Sequence, residues 1–380
     1  MRSGLDGVDL EGIVVVSLEQ AVAAPLASAR LADAGARVIK VERESGDFSR
    51  RYDRMVKGQS AYFVWLNRGK ESVVANIKDP EDIHKLRQLL AKADVFIENL
   101  KPGTMEKIGL LDAELHNLNP GLVICHITGF GKLGPRAYDK AYDMIMQAET
   151  GVSAITGTAD SPARVGISIC DIAAGVTAHA AILQGLFARY RTGKGRTIEV
   201  SLFDSIADWM NVPYLQYLYG GVELKRCGLN HLSIAPYGAY ATRDKRAIIF
   251  SIQNEREWES FCAKVLGRRE IFSDRRFHDN TARLQHRAEL DEIITDHFSR
   301  SNADEITTIL NKAGIANGYL SDVSEAVKNP HLRFVEVSTP NGTISMAAPA
   351  PIVDGQEVAL GSVPDVGTRT LDELIESDNL

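Results

Sequence analysis

Short β-branched runs alternate with helical patterns through the first 130 residues, and this alternation restricts the chain to few architectures. Ile13 to Ser17 reads as a strand, Pro25 to Ala34 as a helix stopped by Gly35, and Val38 to Val41 as a second strand. Ser72 to Ile77, Val95 to Glu98 and Leu122 to Thr128 continue the strands, and Asp79 to Ala93 is a helix opened by an Asp-Pro cap. A βαβ series of this kind predicts a mostly parallel, Rossmann-like doubly wound sheet, with ligands at the carboxyl ends of its strands.

Helical pattern dominates residues 137 to 210, where Asp171 to Tyr190 is the longest candidate and Thr197 to Val200 a further strand. Near residue 225 the texture changes. Asn230 to Tyr240 is turn-rich, Ala247 to Ile252 reads as a strand, and Glu255 to Leu266 and Ala288 to Phe298 read as amphipathic helices. Beyond Asn329-Pro330 a short strand at Thr343 to Met346 precedes a helix at Leu371 to Glu376. The 380 residues therefore divide into a large α/β domain, 1–222 plus 329–380, and a smaller α+β domain, 223–328.

Charge and cysteine content exclude several functions. With 43 Lys plus Arg against 50 Asp plus Glu, the net charge of −7 is the wrong sign for binding nucleic acid or anionic lipid. Arg2, Asp6, Asp9 and Glu11 precede an apolar run only four residues long, so no signal peptide is expected. The uncharged stretch Ile172 to Ala188 falls short of a bilayer span and reads as a buried helix. Cys125, Cys170, Cys227 and Cys262 lie far apart with no metal-ligand spacing, which points to the cytoplasm and to no metal site.

Two features carry chemistry. Gly129-Phe130-Gly131-Lys132-Leu133-Gly134 is formally GxGxxG, but Pro135 and a polar stretch follow where a dinucleotide site needs a helix. A glycine-rich turn that lets backbone approach another segment or a ligand is the better reading. Asp171 stands before the uncharged run and has two readings. It is either a helix N-cap, or a carboxylate at a helix N-terminus in an apolar surround, competent to attack an activated acyl carbon.

Landmarks then accumulate in order: Ala24-Pro25 with Leu31 to Glu42, Glu98-Asn99-Leu100-Lys101-Pro102-Gly103, Thr128-Gly129-Phe130-Gly131 with Gly134-Pro135, Thr192-Gly193-Lys194-Gly195 with Glu199-Val200-Ser201, and Asn329-Pro330-His331. Their order and spacing resemble the class III CoA transferases of formyl-CoA and carnitine-CoA transferase type. The resemblance implies an interlocked homodimer and an acyl transfer through Asp171, by way of an aspartyl anhydride and an aspartyl-CoA thioester. It implies acyl-CoA as substrate with no tightly bound cofactor. By positional match it implies Arg43, Lys78, Asn99, Lys101, Lys107, Lys140 and Tyr142 as coenzyme A contacts.

Departures narrow the substrate. Val22 stands where formyl-CoA transferases carry glutamine, and Gly228-Leu229-Asn230-His231 replaces their run of glycines, which argues against formyl or oxalyl groups. Tyr142-Asp143 replaces the His-Asp pair of the α-methylacyl-CoA racemases, which removes a base that racemisation requires. Met144 to Gly151, Ile234 to Gly238 and Ile252 to Trp258 resemble the shorter members that use succinyl-CoA with itaconate, mesaconate, malate or citramalate. Val22, Asp143, His231 and Tyr237 are then the substrate-side candidates, with Arg226, Asn230 and Gln253 eligible to hold a second carboxylate. An acyl-CoA racemase or isomerase and a non-catalytic acyl-CoA binder are the alternatives.

Overall fold

A computed structural model describes residues 9–376; Arg2 and Asp6 of the charged N-terminus lie outside them. The chain runs β1 (Val14–Leu18), α1 (Ala23–Asp33), β2 (Arg37–Glu42), α2 (Ala61–Leu66), β3 (Lys70–Val74), α3 (Pro80–Leu90), β4 (Val95–Glu98), α4 (Thr104–Lys107), α5 (Asp112–Leu118) and β5 (Val123–Thr128). It continues through α6 (Asp143–Glu149), α7 (Val152–Ile155), α8 (Ile169–Thr192), β6 (Thr197–Ser201), α9 (Leu202–Trp209) and α10 (Asn211–Gly220). Then come β7 (Tyr237–Ala241), β8 (Ala247–Ser251), α11 (Glu255–Ser260), α12 (Asn280–Gln285), α13 (Arg287–Phe298), α14 (Ala303–Ala313), β9 (Ala316–Tyr319) and α15 (Val323–Ala326). Last are β10 (Phe334–Val337), β11 (Ile344–Ala347), the two-residue strands β12 (Ile352–Val353) and β13 (Gln356–Glu357), and α16 (Leu371–Glu376).

Two compact units emerge; among the described residues the first comprises 9–153, 164–216 and 333–376. Its sheet has the order β3-β2-β1-β4-β5-β6 with every pair parallel. Winding reverses between β1 and β4, so their carboxyl ends form the crevice where such folds bind ligands. Val14, Val15 and Val16 are all buried, the continuous apolar run of a strand covered on both faces. Asp79 caps α3 by accepting from the Glu81 amide with Pro80 at the first helical position, as the sequence predicts. Leu371 and Leu374 of α16 join the core formed by Leu86, Leu89, Phe96 and Ile124.

The longest helix, α8, is apolar enough by length and composition to cross a membrane, yet its buried residues pack within this unit. Gly175 allows its close approach to α1, because a Cβ there would lie 2.7 Å from the Ala23 carbonyl oxygen and 3.0 Å from Leu26 Cβ. The first turn of α1 is therefore locked alongside the second turn of α8. Gly129 serves the turn read from the sequence: a Cβ at that position would collide with Ala141. No dinucleotide cradle is needed to explain it.

The second unit is Ala154–Ala163 with Tyr217–Leu332. Its sheet, β7-β8-β9, is antiparallel and packs Tyr240, Ile248 and Phe250 against Trp258, Phe261, Phe298 and Leu310. The excursion Ala154–Ala163 is absent from the boundaries read from the sequence. Arg226 holds it there, donating to the carbonyls of Thr158, Ala154 and Ala159 at 2.9–3.2 Å. This corrects the reading of Arg226 as eligible for a substrate carboxylate, since its guanidinium is engaged by backbone.

Candidate active site

Asp171 is the third residue of α8. The helix begins at Ile169 with Ser168 in the N-cap position, so Asp171 is not the cap that one sequence reading made it. The Ser168 side chain forms no cap hydrogen bond either. One of the orphan first-turn donors is met from outside: Asp143 on α6 accepts from the Cys170 amide at 2.8 Å. Its other oxygen accepts from Gln147 Nε2 at 2.8 Å, and Gln147 in turn accepts from the Val165 amide at 2.8 Å. Asp143 and Gln147 thus fasten the segment leading into α8. Asp143, expected beside the substrate, is buried with both oxygens engaged in these bonds.

This leaves the Asp171 carboxylate with no hydrogen-bond partner among the described residues. Burial pushes its pKa up to about 7, and the nearby Asp143 charge adds to the rise. Around it stand Val22, Leu26, Leu66, Tyr62 and Trp65, which share a hydrophobic cluster with the adjacent Ile172. Val22, a substrate-side candidate, is buried at the start of α1. Tyr52 packs edge-on to Tyr62 with ring centroids 5.6 Å apart. Burial pushes the Tyr52 phenol up to about 12, reinforced by Asp47, Asp171, Tyr142 and Tyr62. Tyr142 itself is 65% exposed, an accessible ring beside this wall. Tyr52, Tyr62 and Ser168 were missed by sequence reasoning, although Ser168 and Asp171 have the spacing of a capping pair.

The cationic candidates separate. Arg43 and Lys78 line one cleft of about 800 Å³ at the carboxyl ends of β1, β2 and β3, together with Leu18, Gly46, Val74 and Leu100. Lys101 lines another, of about 520 Å³, with Lys132, Thr128 and Tyr138. Lys107 and Lys140 are exposed and line neither cleft. Asn99 sits at the crevice between β1 and β4, but its amide is bound at both ends to Gln20: the Gln20 amide donates to its oxygen at 2.9 Å, and its nitrogen donates to the Gln20 carbonyl at 2.8 Å. Its observed work is to hold the β1–α1 loop. The second cleft also holds a cluster that the sequence did not reveal, His126 bridging Glu98 at 2.7 Å and Asp112 at 2.9 Å.

In the second unit His231 stacks on Tyr237 with ring centroids 5.2 Å apart, and the His231 amide donates to the Tyr237 carbonyl at 2.9 Å. Arg287 secures this pair from α13, donating to the Tyr237 and Ile234 carbonyls at 2.9 and 3.2 Å. Gln253 donates to Ser251 Oγ, and Gly238 leaves room for Asn230, whose side chain a Cβ there would strike.

The electrostatics of Asp171 yield a stability prediction. Its folded pKa lies above the ordinary carboxylate value, so ionisation opposes folding, with a penalty that grows from about pH 4 and levels off above about pH 7. Asp171→Asn removes that penalty without removing a cap. Thermal melting should therefore show the variant matching wild type at pH 4 and exceeding it at pH 8, by about 1–2 kcal/mol after allowance for partial exposure.

The sequence model of CoA-transferase family III matches residues 10–370. A succinyl-CoA:glutarate CoA-transferase from Mus musculus is 36% identical over 349 residues, covering 90% of this chain and 80% of that protein. An acetyl-CoA:oxalate CoA-transferase from Acetobacter aceti is 35% identical, covering 88% and 87%. A CAIB/BAIF family protein from Brucella suis superposes with a TM-score of 0.81 at 32% identity, covering 95% of this chain and 97% of that one. Family match, sequence similarity and shared architecture agree over nearly the whole length: the chain belongs to CoA-transferase family III and is a CoA-transferase.

Proposed function

We propose that the protein moves coenzyme A from succinyl-CoA to a small dicarboxylic acid, with Asp171 as the covalent nucleophile. The observation that carries the reading is the Asp171 carboxylate: first turn of α8, half-buried, and without a hydrogen-bond donor. Such a group is poorly solvated as an anion and keeps its lone pairs available. In the first step an Asp171 oxygen attacks the thioester carbonyl, the carbon–sulfur bond breaks, and the thiolate leaves behind a mixed anhydride. The thiolate then attacks the aspartyl carbonyl, the donor acid departs as carboxylate, and an aspartyl-CoA thioester remains. The acceptor carboxylate runs both steps in reverse. Thioester and anhydride lie close in acyl-transfer potential, so the sequence needs no external energy source.

Coenzyme A carries phosphates that a chain of net charge −7 must meet with local cations. Arg43 and Lys78, sharing the larger cleft, are the positions proposed for them, with Lys101, Lys107 and Lys140 as further contacts. The dicarboxylate class rests on the family members matched, whose names give glutarate and oxalate as acceptors. His231 and Tyr237, a stacked pair in the second unit, are proposed for the acceptor side.

A panel of succinyl-CoA against glutarate, itaconate, mesaconate, malate, citramalate and oxalate, read by mass spectrometry, tests the reaction. Transfer to at least one is expected, with a rate that rises with pH as Asp171 ionises. Asp171→Asn should stay folded and lose at least about a thousandfold in rate. Wild-type transfer in a folded Asp171→Asn variant would contradict the mechanism.

A second copy of the chain is proposed to cover the apolar surface of α10, which buries none of its residues and exposes Val212, Leu215, Leu218 and Tyr219. Phe187 and Tyr190 of α8 are 65% and 89% exposed. Light scattering at micromolar concentration should return twice the chain mass of 41.6 kDa, and a monomer would refute the dimer.

A further inference from the structure

Two serine–aspartate pairs with identical spacing start helices in the first unit, and they behave oppositely. At the start of α9, Ser201 Oγ accepts from the Asp204 amide at 2.9 Å and donates to Asp204 Oδ2 at 2.6 Å. At the start of α8, Ser168 and Asp171 form neither bond. Elsewhere the same spacing closes fully: Asn302 with Glu305 and Asp322 with Glu325 both form reciprocal capping boxes. The open pair at α8 is therefore an exception, and its Ser168 backbone, at φ −76° and ψ 67°, departs from the extended cap of Ser201 at ψ 151°.

Ser168 Oγ lies 3.2 Å from the Tyr62 hydroxyl on α2. Two of the first-turn donors are met without the serine: Asp143 takes the Cys170 amide, and the Ile169 amide donates to the Ile167 carbonyl at 2.8 Å. We propose that Tyr62 is a positioning residue: by engaging the Ser168 hydroxyl it holds open the capping pair that Ser168 and Asp171 would otherwise close. The inference rests on Asp171 being the nucleophile. A carboxylate folded back onto its own N-cap, as Asp204 is, accepts a hydrogen bond that stabilises the anion and occupies a lone pair needed for attack. Tyr62 acts through Ser168 and does so without touching the reacting atoms.

The charged and titratable groups facing Asp171 are Asp143 from α6, the neighbouring Cys170 thiol and Tyr52, with Tyr142 and Tyr62 beside Tyr52. Tyr62→Phe changes none of their charges, so any movement of the pH profile reports the freed serine. The test mixes the full-length protein with succinyl-CoA, quenches with hydroxylamine at short times, and measures hydroxamate on the Asp171 peptide by mass spectrometry across pH. Tyr62→Phe should slow adduct formation about tenfold, the worth of one hydrogen bond to a charged group, and move the rise in rate to lower pH. Tyr62→Phe/Ser168→Ala should restore the wild-type rate and profile, because no hydroxyl remains to close the pair. An unchanged rate in Tyr62→Phe, or a loss that Ser168→Ala fails to relieve, overturns the inference while Asp171 stands as nucleophile. A wild-type adduct on another residue overturns both.

Discussion

The Asp143 carboxylate accepts the Cys170 amide across 2.8 Å, and much of the site follows from that bond. A helix N-terminus presents unpaired amides that some acceptor must satisfy, and an aspartate in the first turn is the usual local source. Here the acceptor comes from a neighbouring helix, so the resident aspartate is released from structural duty. Asp143 carries a cost as well as a benefit, because its charge opposes ionisation of Asp171 in an already desolvated place. The result is a carboxylate that destabilises the fold when ionised, a common bargain at catalytic positions.

Behind this carboxylate the β1–α1 loop is held by a buried ionic network. Lys40 donates to Asp47 at 2.9 Å and Lys70 to Glu19 at 2.6 Å, with all four side chains essentially removed from water. Burial pushes Lys70 down to about 8, whereas Lys40, surrounded by Glu19, Asp47 and Glu42, is held above its ordinary value. Asp47 also accepts from the amide of Ala21, a non-glycine residue at φ +63° immediately before Val22. Asn99 fixes Gln20 from the other side. Breaking such a network leaves an uncompensated buried charge, so its members resist substitution singly. It sets the backbone from which α1 departs, and Gly175 then brings α1 onto α8.

Legibility from sequence followed the range of the forces involved. The parallel sheet was readable because strand burial on both faces writes itself as runs such as Val14-Val15-Val16, and the Asp79-Pro80 cap because its bonds are local. Asp171 stood out by its place before the uncharged run, with the family landmarks supplying its expected role, but its freedom from capping was not readable: the N-cap lies three residues earlier, and the Cys170 amide is taken by Asp143, 27 residues from Cys170 in sequence. Asn99 matched a family position while its amide is bound to a loop 79 residues away. Ser168 and Asp171 illustrate the limit most sharply, since their spacing is that of Ser201 and Asp204, while the two pairs differ in N-cap backbone and in the tertiary neighbours Tyr62 and Asp143.

The central claim is that the Asp171 carboxylate joins the acceptor acid covalently. In the proposed sequence one oxygen of the acceptor carboxylate remains on Asp171 when coenzyme A departs with the acyl group. Turnover with an acceptor acid labelled with ¹⁸O in both carboxyl oxygens tests this directly, read by mass spectrometry of the Asp171 peptide and of the released succinate. The account predicts single ¹⁸O incorporation into the peptide and, on the next cycle, into succinate. Product formation with no label in the Asp171 peptide would contradict it.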